Sequence, residues 1–407
     1  MSHPDDPGLS VEQRALIDLL ARRVFRSERN LSVADWEVVL QEAERQSVFP
    51  LCYAEAAALL PASSADAWKR RYYQHISHNY KIINAHHEVH DLLAAAGISY
   101  AIIKGCASSF YYPEPELRTM GDVDIYVSRS SVEEVRTLFE ARGCRAYGLE
   151  HIRHWTYQMD GVNVEVHWFP AATPATDDGT IENLFDDLLE RRFSAKTDDG
   201  DLFFPDPFHH GIIMLLHVAN HLTSSGIGLR HLLDWLVFEN NLTEEAFCCT
   251  FEPTLRKIGL WRFACVLTAV GIEYFGCQPR CFCSNVDPEL AMGLLRDIFA
   301  GGNFGIKDRD RYNQSKFLLN ADTRQIDGGS RIGHLFRFMN QRARLNYPAA
   351  SKYPILLPLG WFITLRRRSW FVKKGVQTKF RFHNTLKQAK EREAIYEQLG
   401  LFENLEQ

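Results

Sequence analysis

The sequence predicts an α+β protein in which a small mixed sheet is flanked by N-terminal and C-terminal helical regions. Helical periodicity fills residues 1–95 and resumes from residue 208 to about residue 300. Between these regions, β-branched and aromatic runs alternate with short helical segments over residues 96–170. A chain of 407 residues is long enough for two or three domains of about 100–200 residues each.

Composition and charge exclude several classes of protein. Hydrophobic residues make up 46% of the chain, the share of an ordinary globular protein and too high for a disordered one. The formal charge of −5 is too small for a nucleic-acid coat protein. The chain shows no signal pattern, and no run approaches the roughly 20 apolar residues of a transmembrane helix. Nine cysteines, odd in number and irregularly spaced, predict reduced thiols and a cytoplasmic protein.

The N-terminal region has the pattern of successive helices. Ser10 is placed to cap the first of them. Apolar residues at helical spacing predict a long helix over residues 65–95, which ends before Gly97. We place the histidines of that helix, His86 among them, on its exposed surface.

The predicted core begins with a buried strand over residues 98–103, which are β-branched and aromatic. Lys104-Gly105 ends this strand, and the small residues after it predict a short helix. A second strand is expected over residues 123–127, where acids alternate with apolar side chains. Ser130 is placed to cap the helix that follows.

A hairpin completes the predicted core. Asp160-Gly161 is a strong turn signal between strands over residues 155–159 and 162–168. The polar, acidic stretch after the hairpin predicts a linker. These features divide the chain into a helical region at 1–95, an α/β core at 96–170, an acidic linker at 171–207, a helical domain closing a cleft at 208–300, and a polar loop with a basic aromatic segment at 301–407.

Two aspartates at the second core strand are the most informative residues of the sequence. Successive side chains of a strand point to opposite faces, so Asp122 and Asp124 share a face while their apolar neighbours enter the core. Two adjacent carboxylates repel each other unless a cation lies between them, and oxygen ligands at this spacing suit Mg²⁺. A lone Asp-x-Asp on a half-exposed strand is more often a solvated surface. Glu165 favours the site interpretation, because it lies with His167 on one face of the hairpin and completes a three-carboxylate cluster if the two strands are neighbours.

Lys104-Gly105 precedes a run of small residues that includes Ser108, at the start of a predicted helix. Backbone N–H groups at a helix N-terminus favour anions, and glycine allows a phosphate to approach closely. This pattern is a weak signal alone. Beside the acidic pair it predicts a phosphate cradle.

These residues carry a resemblance to a known family. The set IIKG … YYPEPELRTMGDVDIYV … DGVNVEVHW, between residues 102 and 168, resembles the uncharacterised nucleotidyltransferases of the DNA polymerase β-like superfamily. The upstream helices, the runs LLHVANHLTSSGIGLRHLLDW and GGNFG, and the tail YPILLPLGWF are also similar to this family, so the resemblance covers most of the chain. It implies a polymerase-β-like core that transfers NMP from an NTP to an unidentified hydroxyl or phosphate acceptor, with release of pyrophosphate.

The resemblance also assigns roles to residues. It implies that Asp122, Asp124 and Glu165 are the catalytic carboxylates and bind Mg²⁺ or Mn²⁺. The nucleotide-binding set that it implies comprises Lys104, Gly105, Ser108, Arg118, Gly121, His167, Arg230 and Asp234. Without the resemblance, Arg230 and Asp234 are four residues apart on a predicted helix, which favours an ion pair between them.

His217 and His221 also lie four residues apart, on one face of an apolar helix. We interpret them as histidines at the edge of the core rather than as metal ligands, because no Glu follows in the zinc-hydrolase pattern. A place in the wall of a nucleotide or acceptor pocket stays open for both.

The chain departs from the wider superfamily, in which a Gly-Ser pair precedes the acidic pair by a short, fixed gap. Here Lys104-Gly105 takes that place, and the longer gap to Asp122 contains two prolines. This departure supports an alternative function: a catalytically degenerate nucleotide-binding sensor or scaffold that docks through its C-terminal segment.

Charge is distributed unevenly along the chain. Residues 331–400 hold fifteen Lys and Arg against three Glu, a net charge of +12, which leaves −17 on the remaining residues. Aromatic residues are interleaved with these cations. We favour a basic helical cap that neutralises the acidic body, while weak contact with an anionic membrane surface or with RNA stays open.

Overall fold

The structure is a computed structural model of the chain. It describes residues 8–31, 34–147, 153–174, 177–197, 200–308 and 353–373, together with 311, 340, 343, 347, 349, 392 and 394–403. Within these parts of the chain, no helix has the length and apolar character needed to cross a membrane. Most of the basic segment at residues 331–400 lies outside the described residues, so its three interpretations stay predictions.

Four helices form the described N-terminal region: α1 (Val11–Phe25), α2 (Trp36–Arg45), α3 (Phe49–Ala56) and α4 (Ala62–Ala95). The predicted cap at Ser10 is confirmed. Its hydroxyl accepts the Gln13 backbone N–H at 3.2 Å, and the Gln13 side-chain oxygen accepts the Ser10 N–H at 2.9 Å. This reciprocal pair satisfies two donors that a helix otherwise leaves free at its first turn.

A five-stranded mixed sheet forms the core, as the sequence predicts. Its strands are β1 (Tyr100–Ile102), β2 (Val123–Val127), β3 (Arg145–Tyr147), β4 (His154–Met159) and β5 (Val162–His167). They lie in the order β1-β2-β5-β4-β3, with β2 and β5 parallel and the other neighbours antiparallel. The pairing of β2 with β5 places Asp124 opposite Glu165. The short strand β3 was not among the predicted elements.

Two helices lie within the core region, α5 (Cys106–Ser109) and α6 (Val132–Ala141). The predicted cap of α6 at Ser130 is wrong, because a 3-10 turn over Arg129–Ser131 precedes the helix. The Ser130 hydroxyl instead forms a hydrogen bond of 2.9 Å with the Ser128 hydroxyl. The serine run thus ends β2 with a turn before the helix begins.

The two faces of the sheet have opposite character, because each strand alternates apolar and polar side chains. Val123 and Ile125 of β2 and Val164 of β5 are fully buried in one cluster with residues of α4 and α6. Burial of each such side chain stabilises the fold by about 1.5–3 kcal/mol. The opposite face carries Asp124 and Glu165, so the apolar packing of one face fixes where the acids point.

The hairpin between β4 and β5 confirms the predicted turn. Asp160 and Gly161 have φ values of +47° and +77°, the left-handed pair that a two-residue turn of this hand requires. The turn sets the register in which Thr156 lies opposite Glu165 and His154 opposite His167. A slip by one residue would move Glu165 to the apolar face.

The predicted acidic linker contains structure that the sequence did not predict. It holds a helical turn α7 (Leu188–Arg191) and a two-stranded hairpin of β6 (Phe193–Thr197) and β7 (Gly200–Phe204). Ala195, Leu202 and Phe204 are buried with the apolar cluster of the main sheet. The hairpin therefore extends the core, although the acidic composition of this stretch is typical of a linker.

The helices after the hairpin form the second half of the described structure. They are α8 (Pro207–Thr223), α9 (Leu229–Asn240), α10 (Glu244–Lys257), α11 (Trp261–Val270), α12 (Pro288–Gly301) and α13 (Leu357–Lys373). The side chains of α8 and α9 that face the core are almost all buried, which explains the long apolar runs of this region. Polar side chains of α8 and α9 face the side of the sheet that carries Asp124 and Glu165.

Gly105 forms the turn that leads from β1 into α5. Its backbone has φ +54°, and a Cβ built on it would lie 2.8 Å from Nε2 of His86. The expectation that His86 lies on the surface of α4 is wrong, since this imidazole is fully buried and donates from Nδ1 to the Ile82 carbonyl at 2.8 Å. Burial lowers the pKa of His86 to about 4, so the ring is neutral beneath the turn.

Replacing Gly105 with Ala should destabilise the protein by about 2–4 kcal/mol, because it adds a clash with His86 to the strain of a positive φ. Gly97 provides a matched control, since it has φ +70° and a Cβ added there would meet nothing within 4 Å. Gly97→Ala should cost only about 1 kcal/mol. Urea unfolding of both variants measures the difference. Equal losses would show that the imidazole leaves room for a side chain.

Candidate active site

A cleft of about 460 Å³ lies between the polar face of the sheet and helices α8 and α9. Ten of the eleven residues proposed from the sequence line it, namely Lys104, Gly105, Ser108, Arg118, Gly121, Asp122, Asp124, Glu165, Arg230 and Asp234. The eleventh, His167, lies behind this surface and contacts Asp124. Residues 111 positions apart in the chain, such as Thr119 and Arg230, are in direct contact here.

Asp124 is the most enclosed of the three acids. Its Oδ1 accepts hydrogen bonds from Lys104 Nζ at 2.7 Å and from His167 Nε2 at 2.8 Å. Burial alone would raise the pKa of this carboxyl, but the charge of Lys104 and the bond from His167 hold it well below its usual range. Asp124 is therefore ionised at neutral pH.

His167 links Asp124 to Glu165. Its Nε2 lies 3.2 Å from Glu165 Oε2 as well as 2.8 Å from Asp124 Oδ1. Burial would lower the pKa of this imidazole, but its bonds to the two carboxylates raise it. The same contact lowers the pKa of Glu165. Asp124 and Glu165 therefore contact the same imidazole nitrogen, and their charges favour the protonated form of His167.

Asp122 lies just before β2 and lacks such compensation. The charge of Asp124 and then burial raise the pKa of Asp122 to about 7, although Lys104 acts in the opposite direction. A carboxyl in this state is one whose negative charge the surrounding residues do not balance. This is the condition expected at a site that takes up a cation.

The three predicted acids offer donors of the kind that a hard divalent cation takes. Asp122, Asp124 and Glu165 have carboxylate oxygens, which suit Mg²⁺ or Mn²⁺. Among the described residues, the ligand atoms that the structure brings within 4.8 Å of one another are those of His154, Glu165 and His167, so Glu165 is the one predicted acid in that group. His154 was not among the predicted site residues, and its position opposite His167 on β4 follows only from the hairpin register.

Arg118 is held by a buried ion pair. Its Nε and Nη2 donate to the two oxygens of Asp234 at 2.7 and 2.6 Å, and Tyr112 donates to the same carboxylate at 2.9 Å. The remaining Nη1 lies 3.4 Å from the Gly105 carbonyl. Asp234 therefore pairs with Arg118 and not with Arg230, which corrects the helix ion pair expected from the sequence. In this arrangement Arg118 anchors the Gly105 turn to α9.

Arg230 faces the cleft with much of its guanidinium unused. Nη1 donates to the Thr119 carbonyl at 3.1 Å, while Nε is buried and has no hydrogen-bond partner among the described residues. The guanidinium carbon lies 5.5 Å from the ring centre of Phe304. Burial and then the charge of Arg118 lower the pKa of Arg230, so an anion bound beside it would be stabilised.

Three histidines line the helical wall opposite the acids. The ring centres of His217 and His221 are 4.3 Å apart, and His231 lies 5.7 and 5.8 Å from them. Burial lowers the pKa of His221 to about 4 and the pKa values of His217 and His231 well below their usual range. The wall is therefore neutral. Sequence spacing indicated the first two histidines, whereas His231 joins them from another helix.

Asn79 of α4 positions the segment that precedes the acids. Its side-chain amide donates to the carbonyls of Glu116 and Arg118 at 2.8 and 3.1 Å and accepts the Met120 N–H at 3.1 Å. This residue is buried and was not predicted from the sequence. Nothing in its local sequence distinguishes it from the exposed polar residues of the same helix.

A sequence model of the family described as uncharacterised nucleotidyltransferase matches residues 32–276. This chain belongs to that family. The match contains all eleven predicted site residues, and the mixed sheet with its flanking helices confirms the predicted α+β fold.

This nucleotidyltransferase family member is similar to a solved structure, an antigenic nucleotidyltransferase-like protein from Paracoccidioides brasiliensis. The two share 12% sequence identity, the similarity covers 51% of this chain and 95% of that chain, and the TM-score is 0.31. Comparison with curated proteins gives no match.

Replacing Asp234 with Asn should destabilise this nucleotidyltransferase family member by about 3–5 kcal/mol, because it leaves the Arg118 charge buried without a counter-charge. Arg118→Met should be comparably harmful. The double variant R118M/D234N should lose clearly less than the sum of the single losses, since it removes both charges. Urea unfolding of all three variants gives the coupling free energy. Strictly additive losses would contradict a tight pair.

Asp122→Asn should change the pH dependence of stability in metal-free buffer. With the pKa of Asp122 near 7, the folded chain keeps a proton between about pH 4 and pH 7 that the unfolded chain has released. The contribution of this group to the free energy of unfolding therefore falls as pH rises through that window. The Asn side chain cannot ionise. We therefore expect the free energy of unfolding of D122N to exceed that of the wild type by about 1–3 kcal/mol at pH 8 and to equal it near pH 4.

Urea unfolding in EDTA at pH 4, 6 and 8 measures this difference. Glu133→Gln serves as the control, because Glu133 is an exposed acid on α6. The free energy of unfolding of E133Q, relative to that of the wild type, should not increase with pH. A D122N variant that is less stable than the wild type at pH 8 would mean that Asp122 is well compensated.

Proposed function

We propose that this chain is a metal-dependent nucleotidyltransferase that transfers NMP from an NTP to a hydroxyl or phosphate of an acceptor and releases pyrophosphate. Membership of the family supports the general reaction. The observation that carries the proposal is the alignment of Asp124 with Glu165 across parallel strands, beside Asp122, on the wall of a cleft that also holds Lys104 and Arg230. Carboxylates for a cation and cations for a polyphosphate thus meet in one cavity.

The three carboxylates would hold Mg²⁺ or Mn²⁺ in this proposal. A bound ion of this kind neutralises phosphate charge and activates the attacking oxygen. His167 keeps Asp124 and Glu165 oriented from the protein side, which leaves their remaining oxygens toward the cleft. The raised pKa of Asp122 supports the assignment, since it marks a carboxylate that lacks a counter-charge.

Lys104 has a distinct role in the proposal. Its ammonium group now lies 2.7 Å from Asp124 Oδ1, where it compensates the acid. We infer that Lys104 leaves Asp124 when a divalent cation is held there and then donates to phosphate oxygens. The Gly105 turn and Ser108 lie beside it on the same cleft wall. Arg118 supports this turn from behind, and Arg230 is the second cation available to the triphosphate.

Transfer in this site would depend on positioning and charge. An acceptor oxygen attacks the α-phosphorus as the bond from that phosphorus to the bridging oxygen breaks, and pyrophosphate leaves with the electron pair of that bond. A hydroxyl acceptor gives up its proton to water in the same step, whereas an ionised phosphate acceptor has none to lose. Lys104 and Arg230 would stabilise the charge that develops on the leaving group. The second function is a catalytically degenerate nucleotide-binding sensor or scaffold, which would use the same binding residues without transfer and would dock through the basic C-terminal segment.

Asp124→Asn and Glu165→Gln should each reduce pyrophosphate release by about a hundredfold or more, because each removes a charge that the cation needs. Release is measured with each NTP, Mg²⁺ and a panel of hydroxyl and phosphate acceptors, and mass spectrometry detects nucleotidylated products. Glu133→Gln should retain full activity. EDTA should abolish release in every variant.

Full activity in D124N would refute the site assignment. Nucleotide binding measured by calorimetry, with no product on any acceptor in the wild type, would favour the sensor. Thermal unfolding of each variant without nucleotide shows that a lost activity is not a lost fold.

A further inference from the structure

Phe304 stands at the mouth of the cleft, in the short turn that follows α12. It is 44% exposed, although it is a large apolar side chain. Its backbone has φ +52° and ψ +32°, a left-handed conformation that non-glycine residues rarely adopt. Strained positions of this kind concentrate at binding and catalytic sites. The strain therefore points to a use for the ring.

The surroundings of Phe304 hold the ring in one place. The rings of His221 and His231 meet it edge-on, with centres 4.8 and 4.9 Å away. The Arg230 guanidinium carbon lies 5.5 Å from its centre. Each of these contacts is of a type that favours a fixed aromatic ring. Phe304 is thus positioned by three cleft residues while almost half of its surface stays accessible.

The cleft is lined by two kinds of group. Asp122, Asp124 and Glu165 are acids, beside which a cation and phosphates fit. The imidazoles of His221 and His231, which burial keeps neutral, lie against Phe304. Arg230 lies beside this aromatic group, with its guanidinium carbon 5.5 Å from the centre of the Phe304 ring. A complementary ligand carries a polyanion at one end and a planar uncharged ring at the other.

His231 adds a polar contact beside Phe304. Its Nδ1 accepts the Gly228 N–H at 3.3 Å, so the proton of the neutral ring is on Nε2. That atom is buried and has no hydrogen-bond partner among the described residues. It can donate to a carbonyl oxygen or ring nitrogen at the edge of a heterocycle.

We propose that Phe304 is the stacking platform for the nucleobase of the NTP, with His231 at the edge of the base. This inference rests on the proposed function, because it names where the nucleotide of that reaction places its base. Phe304 lies outside the residues that the family model matches. Stacking tolerates any base, so we expect binding of purine and pyrimidine nucleotides alike.

Phe304 also borders a second cavity of about 420 Å³, whose lining includes Glu44, Arg45 and Ser225. An acceptor bound there could also contact Phe304. The test therefore measures nucleotide binding without any acceptor, so that loss of affinity reports on the base alone.

Two variants separate stacking from packing. Phe304→Leu keeps apolar bulk and removes the aromatic face, whereas Phe304→Tyr keeps the face. Calorimetry with Mg²⁺ compares an α,β-methylene ATP analogue, which cannot transfer its nucleotide, with inorganic tripolyphosphate, which has no base. F304L should weaken binding of the analogue by about five- to hundredfold and leave tripolyphosphate binding unchanged, while F304Y should bind both like the wild type.

Phe110→Leu is the matched control, because Phe110 is 40% exposed and lies on another surface. It should bind both ligands normally. If F304L binds the analogue as tightly as the wild type, or weakens both ligands equally, the stacking platform is refuted while the proposed function stands. If the wild type binds neither ligand, the proposed function fails, and the base subsite fails with it.

Discussion

The buried negative charge of Asp124 is the constraint on which the surrounding site depends. An ionised carboxylate removed from water costs several kcal/mol unless charged and hydrogen-bonding partners replace the water. Lys104 and His167 supply that replacement from the end of the neighbouring strand and from the strand beside it. The apolar side of β2 requires this arrangement, since Val123 and Ile125 cannot be buried without turning Asp124 to the opposite face.

The three cationic side chains around the cleft, Lys104, Arg118 and Arg230, differ in how far protein partners already occupy them. Arg118 is fully engaged by Asp234 and holds the Gly105 turn against α9, so it acts on the site through structure. Arg230 is half-buried, its Nε has no hydrogen-bond partner among the described residues, and its guanidinium lines the cleft where a ligand could bind. Lys104 lies between these cases, because its partner Asp124 is itself a candidate cation ligand. In the proposed function, the charges of Lys104 and Arg230 would offset the repulsion between the acids and a polyanion that enters the cleft.

Much of the core could be predicted because its signals are local. Alternation identified β2 and β5 and gave the correct face for Asp124 and Glu165, and the Asp160-Gly161 turn identified β4 as the hairpin partner of β5. The strands β3, β6 and β7 were missed, since β3 has three residues and the β6–β7 hairpin lies in a stretch whose acidic composition is typical of a linker. The burial of His86 was missed because a polar residue was assigned to the exposed side of α4, whereas it lies on the buried side with Ile82 and Val89.

The sequence by itself determined that Asp122 and Asp124 share one strand face and that Glu165 and His167 share another, because side chains two positions apart on a strand point the same way. Only the tertiary structure decided that these two strands are neighbours and which partners the acids have. Asp234 could not be assigned to Arg118 from the sequence, since 116 positions separate the two residues. His231 and Phe304 likewise reach the cleft from separate elements. Pairing between distant segments depends on how helices pack over the sheet, and that packing is set by the whole core and not by any local pattern.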